Sequence, residues 1–202
     1  MLLPLSGESR EAESITPFCM ARPVDDSPAL DLSDKVRIAA DSGEVLLTRE
    51  LIILDGDVEI TNGAQSLRAN EVRYDMKSRS ATATGDVIMA QPGFEVRSRQ
   101  AAYDMTSQTA ELEKVSYKII EHGGQGTAER ATLRRTGASS FQEISYSTCP
   151  PEKEDWRISA KRIEIDREKG TGTAEDARMK IRGATIFKVP RFMFPIDDRR
   201  MS

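Results

Sequence analysis

From Lys35 onward apolar and polar side chains take turns along the chain in short segments: Val36-Arg37-Ile38-Ala39, Val58-Glu59-Ile60-Thr61 and Val72-Arg73-Tyr74-Asp75-Met76. The alternation returns in Phe94-Glu95-Val96-Arg97, Val115-Ser116-Tyr117-Lys118-Ile119, Trp156-Arg157-Ile158-Ser159-Ala160 and Ile163-Glu164-Ile165-Asp166. A period of two sends successive side chains to opposite faces and predicts half-buried β-strands; the three-four spacing of an amphipathic helix is nearly absent. Turn chemistry falls at Asp55-Gly56-Asp57, Asn62-Gly63, Thr84-Gly85-Asp86, Pro92-Gly93, Gly123-Gly124 and Lys169-Gly170. The expected fold class is all-β.

The chain also repeats itself. Gly56-Asp57-Val58 returns as Gly85-Asp86-Val87, and Tyr74-Asp75-Met76 returns as Tyr103-Asp104-Met105, both at an offset of 29 residues. Weaker copies follow at Lys114-Val115 and at Ile165-Asp166-Arg167-Glu168-Lys169. A repeat of this length indicates stacked units that cannot bury their apolar faces alone. Each unit is expected to hold a Gly-Asp-Val strand, a strand ending in Tyr-Asp-Met, and a short Ala/Thr strand such as Ala81-Thr82-Ala83-Thr84. Stacking leaves one elongated apolar interior and an unpaired strand edge at each end.

If the polar members face water, the interior gathers Ile38, Leu54, Val58, Ile60, Val72 and Tyr74 from the first units. Phe94, Val96, Tyr103, Val115, Tyr117, Ile119, Ile158 and Ile163 join them further on. Two readings stay open: these side chains fill one another's gaps as an ordinary core, or they line a groove able to take acyl chains, each buried methylene contributing roughly 0.8 kcal/mol. Residues 1–34 carry scattered prolines and no sustained period, and are expected to be a flexible tail.

Composition narrows the chemistry. With 33 acidic and 29 basic side chains the formal charge is only −4, too near neutral for the basic face that nucleic acid requires. No secretory signal and no apolar run long enough for a membrane helix is visible, so the chain as it stands is expected to be soluble. His122 reads as a loop residue, and with two distant cysteines, Cys19 and Cys149, it forms neither a catalytic triad nor a metal site. Carboxylates interleaved with Arg and Lys suit cross-strand ion pairs. The expectation is a protein without catalytic residues, cofactor or metal. The cysteines are either inert thiols or halves of disulfides.

Two segments interrupt the repeat: Tyr146-Ser147-Thr148-Cys149-Pro150 with Trp156, and the C-terminal Pro195-Ile196-Asp197-Asp198-Arg199-Arg200. Together with Ile158-Ser159-Ala160 and Ile163-Glu164-Ile165-Asp166 they resemble the LptD family of lipopolysaccharide-assembly proteins of the outer membrane, also called organic solvent tolerance proteins. That resemblance implies a stacked antiparallel β-jellyroll of the OstA and LptA kind over residues 35–186, elongated and V-shaped, with an apolar interior and open edges. Residues 187–202 would lead into a membrane β-barrel that lies outside this chain. It further implies a periplasmic domain at the outer membrane that passes lipopolysaccharide acyl chains toward the barrel, itself filled by the lipoprotein LptE. The bridge protein LptA would add a strand to the edge carrying Val36, Ile38, Val45 and Leu47. Cys19 and Cys149 match cysteines that the family links to a pair after the barrel. The rivals are a free bridge component resembling LptA, and a structural or polysaccharide-binding β-solenoid.

Overall fold

The computed structural model describes residues 36–120 and 123–196. The N-terminal tail, Cys19, His122 and the Asp197–Arg200 motif lie outside the described residues. The strands are β1 (Arg37–Ala39), β2 (Ser42–Leu46), β3 (Leu51–Asn62), β4 (Gln65–Asp75), β5 (Ser80–Gln91) and β6 (Phe94–Asp104). After them come β7 (Thr109–Ile119), β8 (Gly124–Arg134), β9 (Ala138–Tyr146), β10 (Trp156–Asp166), β11 (Thr171–Ile181) and β12 (Ala184–Pro195). All belong to one antiparallel sheet in which β3 to β12 lie in chain order, with β1 and β2 side by side along the free edge of β3. The fold is all-β, as the period of two requires, and among the described residues its two edges are open.

The structure gives the 29-residue repeat a different basis from the one the sequence suggests. Gly56-Asp57 and Gly85-Asp86 do not connect strands; they lie in the middle of β3 and β5 with left-handed backbones, φ 76° and 40°, then 76° and 47°. The ladder slips there by one residue, Asp55 facing Glu71 but Val58 facing Ala69. Such a bulge bends its strand. Lys114, Glu143 and Asp176 take the same conformation in β7, β9 and β11, at φ 54°, 49° and 50°. The following residue turns inward each time: Val58, Val87, Val115 and Ala177 are buried, and Ile144 packs on the core. A second left-handed residue, Glu50, Arg79, Gln108, Gly137 or Gly170, ends the connection at one end of the sheet. Each unit therefore holds two strands, not three, because the Ala/Thr segment and the Gly-Asp-Val segment are halves of one bent strand.

The bends divide the sheet into two arms. One core cluster joins Val72, Ala83, Ala101 and Leu112 from the first half-strands to Val58, Val87, Val96 and Val115 from the second, so the arms pack on each other across the bend line. Among the described residues, eight of the fifteen buried apolar side chains are alanines, which lets the arms close together there. A smaller cluster, Ala160, Ala174 and Ala177, continues the core under the last strands. Residues from 187 onward do not leave the sheet as a linker, since β12 stays paired with β11 as far as Pro195 opposite Thr171.

Candidate functional site

Cross-strand register assembles the inward side chains into apolar rows that run across the strands, along the stack. The deepest row passes from Leu54 through Val72, Ala83, Ala101, Leu112, Ala131, Phe141, Ile163 and Ala174 to Phe192. It crosses ten strands, roughly 43 Å at about 4.8 Å per strand. Its middle is closed: Leu112 is 1% exposed and Ala131 3%, whereas Phe192, at the end of the row, is 40% exposed.

Nearer the strand ends the rows open. On the first arm Tyr74, Ala81, Tyr103, Ala110 and Leu133 are successive cross-strand neighbours, and Tyr103 and Leu133 stand 41% and 36% exposed. On the second arm Tyr146, Ile158, Met179 and Phe187 form the matching row, with Ile158 39% and Phe187 56% exposed. Two strips of exposed apolar and aromatic side chains thus border the closed seam of small residues, one over β4 to β8 on the first arm and one over β9 to β12 on the second.

This geometry sorts the residues expected to line a groove. Val58, Val72, Val96 and Val115 are buried in the seam and present almost no surface to a ligand, which corrects their assignment as lining. Leu54, Ile60, Phe94 and Tyr117 are half-buried against the same core, and Ile163 packs on the smaller cluster. Tyr74 and Ile119 are half-buried, while Tyr103, Ile158 and Ile38 keep open surface. Leu133, which the alternation also places on the apolar face, belongs with the open rows, as do Phe187 and Phe192, which the alternation does not single out. In sequence Phe187 and Phe192 fall in the segment expected to lead out of the domain, and only their pairing with Met179 and Ala174 places them on the inner face.

At the other edge, Val36, Ile38, Val45 and Leu47 are all exposed. Ile38 pairs with Ile60 and Val45 with Ile52, so β1 and β2 offer their outer backbone groups along a free edge. The outer faces of the strands carry ion pairs, among them Arg68–Glu59 at 2.9 Å, Arg97–Glu95 at 2.9 Å and Arg130–Glu113 at 3.1 Å. Such exposed pairs contribute solubility more than stability.

Cys149 is 1% exposed and disulfide-bonded; the other cysteine of the sequence, Cys19, lies outside the described residues. Its setting is well held. The Cys149 amide donates to Ser147 Oγ at 3.0 Å, that hydroxyl donates to the Trp156 carbonyl at 2.6 Å, and the Gln125 side chain donates to the Cys149 carbonyl. Tyr146 meets Trp156 edge to face, with ring centroids 5.8 Å apart. Among the described residues no group of three or more His, Cys, Asp or Glu side chains could hold a metal ion. No helix of the described residues is long and apolar enough to cross a membrane. Burial pushes the Tyr117 phenol up to about 12, with Tyr146 nearby adding to the effect. That phenol donates to a backbone carbonyl, so it is held as a neutral donor.

In sequence the chain is similar to proteins of lipopolysaccharide assembly. The model of the lipopolysaccharide-assembly, LptC-related family matches residues 27–118. The LPS-assembly protein LptD of Acinetobacter baylyi is 35% identical over 150 residues, which is 73% of this chain and 18% of that protein. LptD of Xanthomonas euvesicatoria is 31% identical over 147 residues, with the same shares of 73% and 18%. Among solved structures, LptH of Pseudomonas aeruginosa, described as the LptA homologous periplasmic component of a lipopolysaccharide transport device, is 19% identical. Its TM-score is 0.44, over 52% of this chain and 80% of that one. This chain is thus a relative of the LPS-assembly proteins LptD, spanning less than a fifth of the length of those it matches.

Proposed function

We propose that this chain is a periplasmic carrier domain of lipopolysaccharide assembly at the outer membrane, without catalytic chemistry of its own. Acyl chains lie against the exposed apolar strips while the seam of small residues keeps the two arms together. The observation that carries this reading is the row geometry: Tyr103 and Leu133 on one arm, Ile158 and Phe187 on the other, stay open to solvent on inner faces aligned along the stack. Leaving large apolar side chains in water is unfavourable unless something covers them, and fatty tails match their chemistry.

The partners follow from the two edges. The β1–β2 edge, with Val36, Ile38, Val45 and Leu47 exposed, suits addition of a strand from an LptA-type bridge protein. The β12 end would lead toward the barrel that the longer relatives' type of protein carries, and through it toward LptE. Cys149 is disulfide-bonded in this structure; in a longer protein of this type Cys149 and Cys19 would exchange into bonds with cysteines beyond the barrel.

Photo-crosslinking in cells making lipopolysaccharide tests the reading. A crosslinkable residue at Tyr103 or Ile158 should give lipopolysaccharide adducts, and one at Arg97 or Lys118 on the outer face should not. Equal adducts on both faces, or none at Tyr103 and Ile158, would remove the carrier reading.

A further inference from the structure

The sheet is not equally tied throughout. Between β8 and β9 the ladder holds Arg130 opposite Gln142, Ala131 opposite Phe141 and Thr132 opposite Ser140. It resumes only at the isolated pair Gln125–Ser147, bonded in both directions at 2.8 and 2.9 Å. Residues 126–129 and 143–146 thus face each other without a ladder pair. Every other neighbouring pair from β3 to β12 resumes within three residues of its bend.

Side chains fill this gap. Tyr117 reaches over from β7 and donates its phenol hydrogen to the Ser145 carbonyl at 2.7 Å. Ser145 Oγ accepts the Thr127 amide at 3.2 Å and lies 3.0 Å from Thr127 Oγ1. Gly126 provides the passage for the phenol, because a Cβ there would collide with the Ser145 carbonyl and stand 2.6 Å from Tyr117 Oη. Hollows of about 250 and about 320 Å³ flank the gap, and both are lined by Thr127, Ser145 and Arg157. The core narrows here: Phe141 and Ile144 of β9 pack across the seam on the larger cluster, and Ile144 also packs on the smaller one.

We infer that the β8–β9 seam is a flexing line built into the sheet, closed by the Tyr117–Ser145–Thr127 latch, about which β9–β12 swings against β3–β8. The ladder, normally the stiffest connection between strands, is here replaced over four residues by three side-chain bonds, and the core crosses the seam through Phe141 and Ile144. Opening would break those bonds, the short ladder and the Gln125 bonds to Ser147 and Cys149 beside them, and the packing of Phe141 and Ile144 on the larger cluster, while the buried members of each cluster stay together. This inference does not depend on the lipid reading and holds for the domain alone.

Hydrogen exchange on the intact, disulfide-bonded chain decides it, since local opening sets the exchange of ladder-bonded amides. Residues 130–132 and 140–142 should exchange about tenfold faster than their counterparts 101–103 and 110–112 in the β6–β7 pair. Tyr117→Phe should raise the first set about tenfold more and leave β4 and β5 unchanged. A Thr127→Cys/Ser145→Cys pair, oxidised, should slow it to the β6–β7 level. Equal protection of the two sets in the wild type would overturn the proposal, as would a uniform rise across the sheet in Tyr117→Phe. Should Tyr117→Phe not fold, the oxidised pair still decides: no slowing at 130–132 means that no flexing occurs there.

Discussion

Leu112 and Tyr103 are both apolar inner-face residues of the repeat, yet their side chains have different jobs. Leu112, 1% exposed, sits where the arms meet, so Leu112→Ala should leave a cavity and destabilise the domain by about 2–5 kcal/mol. Tyr103, 41% exposed, should tolerate Ala with less than about 1 kcal/mol lost; thermal unfolding of the two variants checks the contrast. The turn carboxylates are a second residue-scale device. Asp75 accepts the Ser78 amide at 2.8 Å, and Asp104 accepts those of Thr106 and Ser107 at 2.7 and 2.9 Å. These bonds hold both carboxyls below their ordinary value of 3.8. A lowered folded pKa contributes stability above 3.8 that is lost as pH falls through the folded value. The melting temperature should therefore fall less steeply below about pH 4 in an Asp75→Asn/Asp104→Asn variant than in the wild type. For Tyr117 the sign reverses: with its pKa raised from 10.0 to about 12, its contribution is present below pH 10 and lost as pH climbs toward 12. A phenol titration step should thus appear near pH 12, and Tyr117→Phe should remove it.

At the scale of the strand, the device that matters is the mid-strand bend. Lys114 holds φ 54° in β7 and pairs with Glu129 at 2.5 Å, both side chains being about half exposed. Because a left-handed backbone strains any residue with a Cβ, and a β-branched one most, Lys114→Val should cost about 1–2 kcal/mol. Lys114→Gly should be close to neutral, the relief of strain offsetting an exposed ion pair of about 0–1 kcal/mol. Equal melting temperatures for the two variants would mean that the bend is not under local backbone control. The period of two showed where strands run, but it did not show that Gly56-Asp57 and Gly85-Asp86 bend a strand rather than end it. Glycine followed by aspartate has turn chemistry in either setting, and the choice depends on whether the neighbouring strand continues past it.

For the molecule as a whole, the sheet behaves as a one-dimensional stack, since the substantial contacts between strands are those between sheet neighbours. Stability is then a sum of unit and interface contributions, and units can be removed. Excising Ser80–Gln108 takes out one full repeat and joins Arg79 to Thr109, placing a left-handed residue where Gln108, also left-handed, had been. The shortened chain should fold with the same β-sheet circular dichroism signature and a lower melting temperature. A chain that unfolds or aggregates on this excision would argue against the stacked-unit description. The same linear arrangement explains why the candidate site was only partly legible: the alternation identified the inner face, but not which of its residues would be covered.

By itself the sequence determined the all-β class, the 29-residue unit, the inward set of side chains and the two interrupting segments, because each follows from local rules of period, turn chemistry and self-similarity. Tertiary structure alone decided that Val58, Val72, Val96 and Val115 close a seam while Tyr103, Ile158, Phe187 and Phe192 remain open. It also decided that β8 and β9 are joined in part by side chains. The physical reason is that burial and ladder pairing depend on how near another strand comes. That distance is set by the bends and the small residues beside them, acting between positions far apart in the chain.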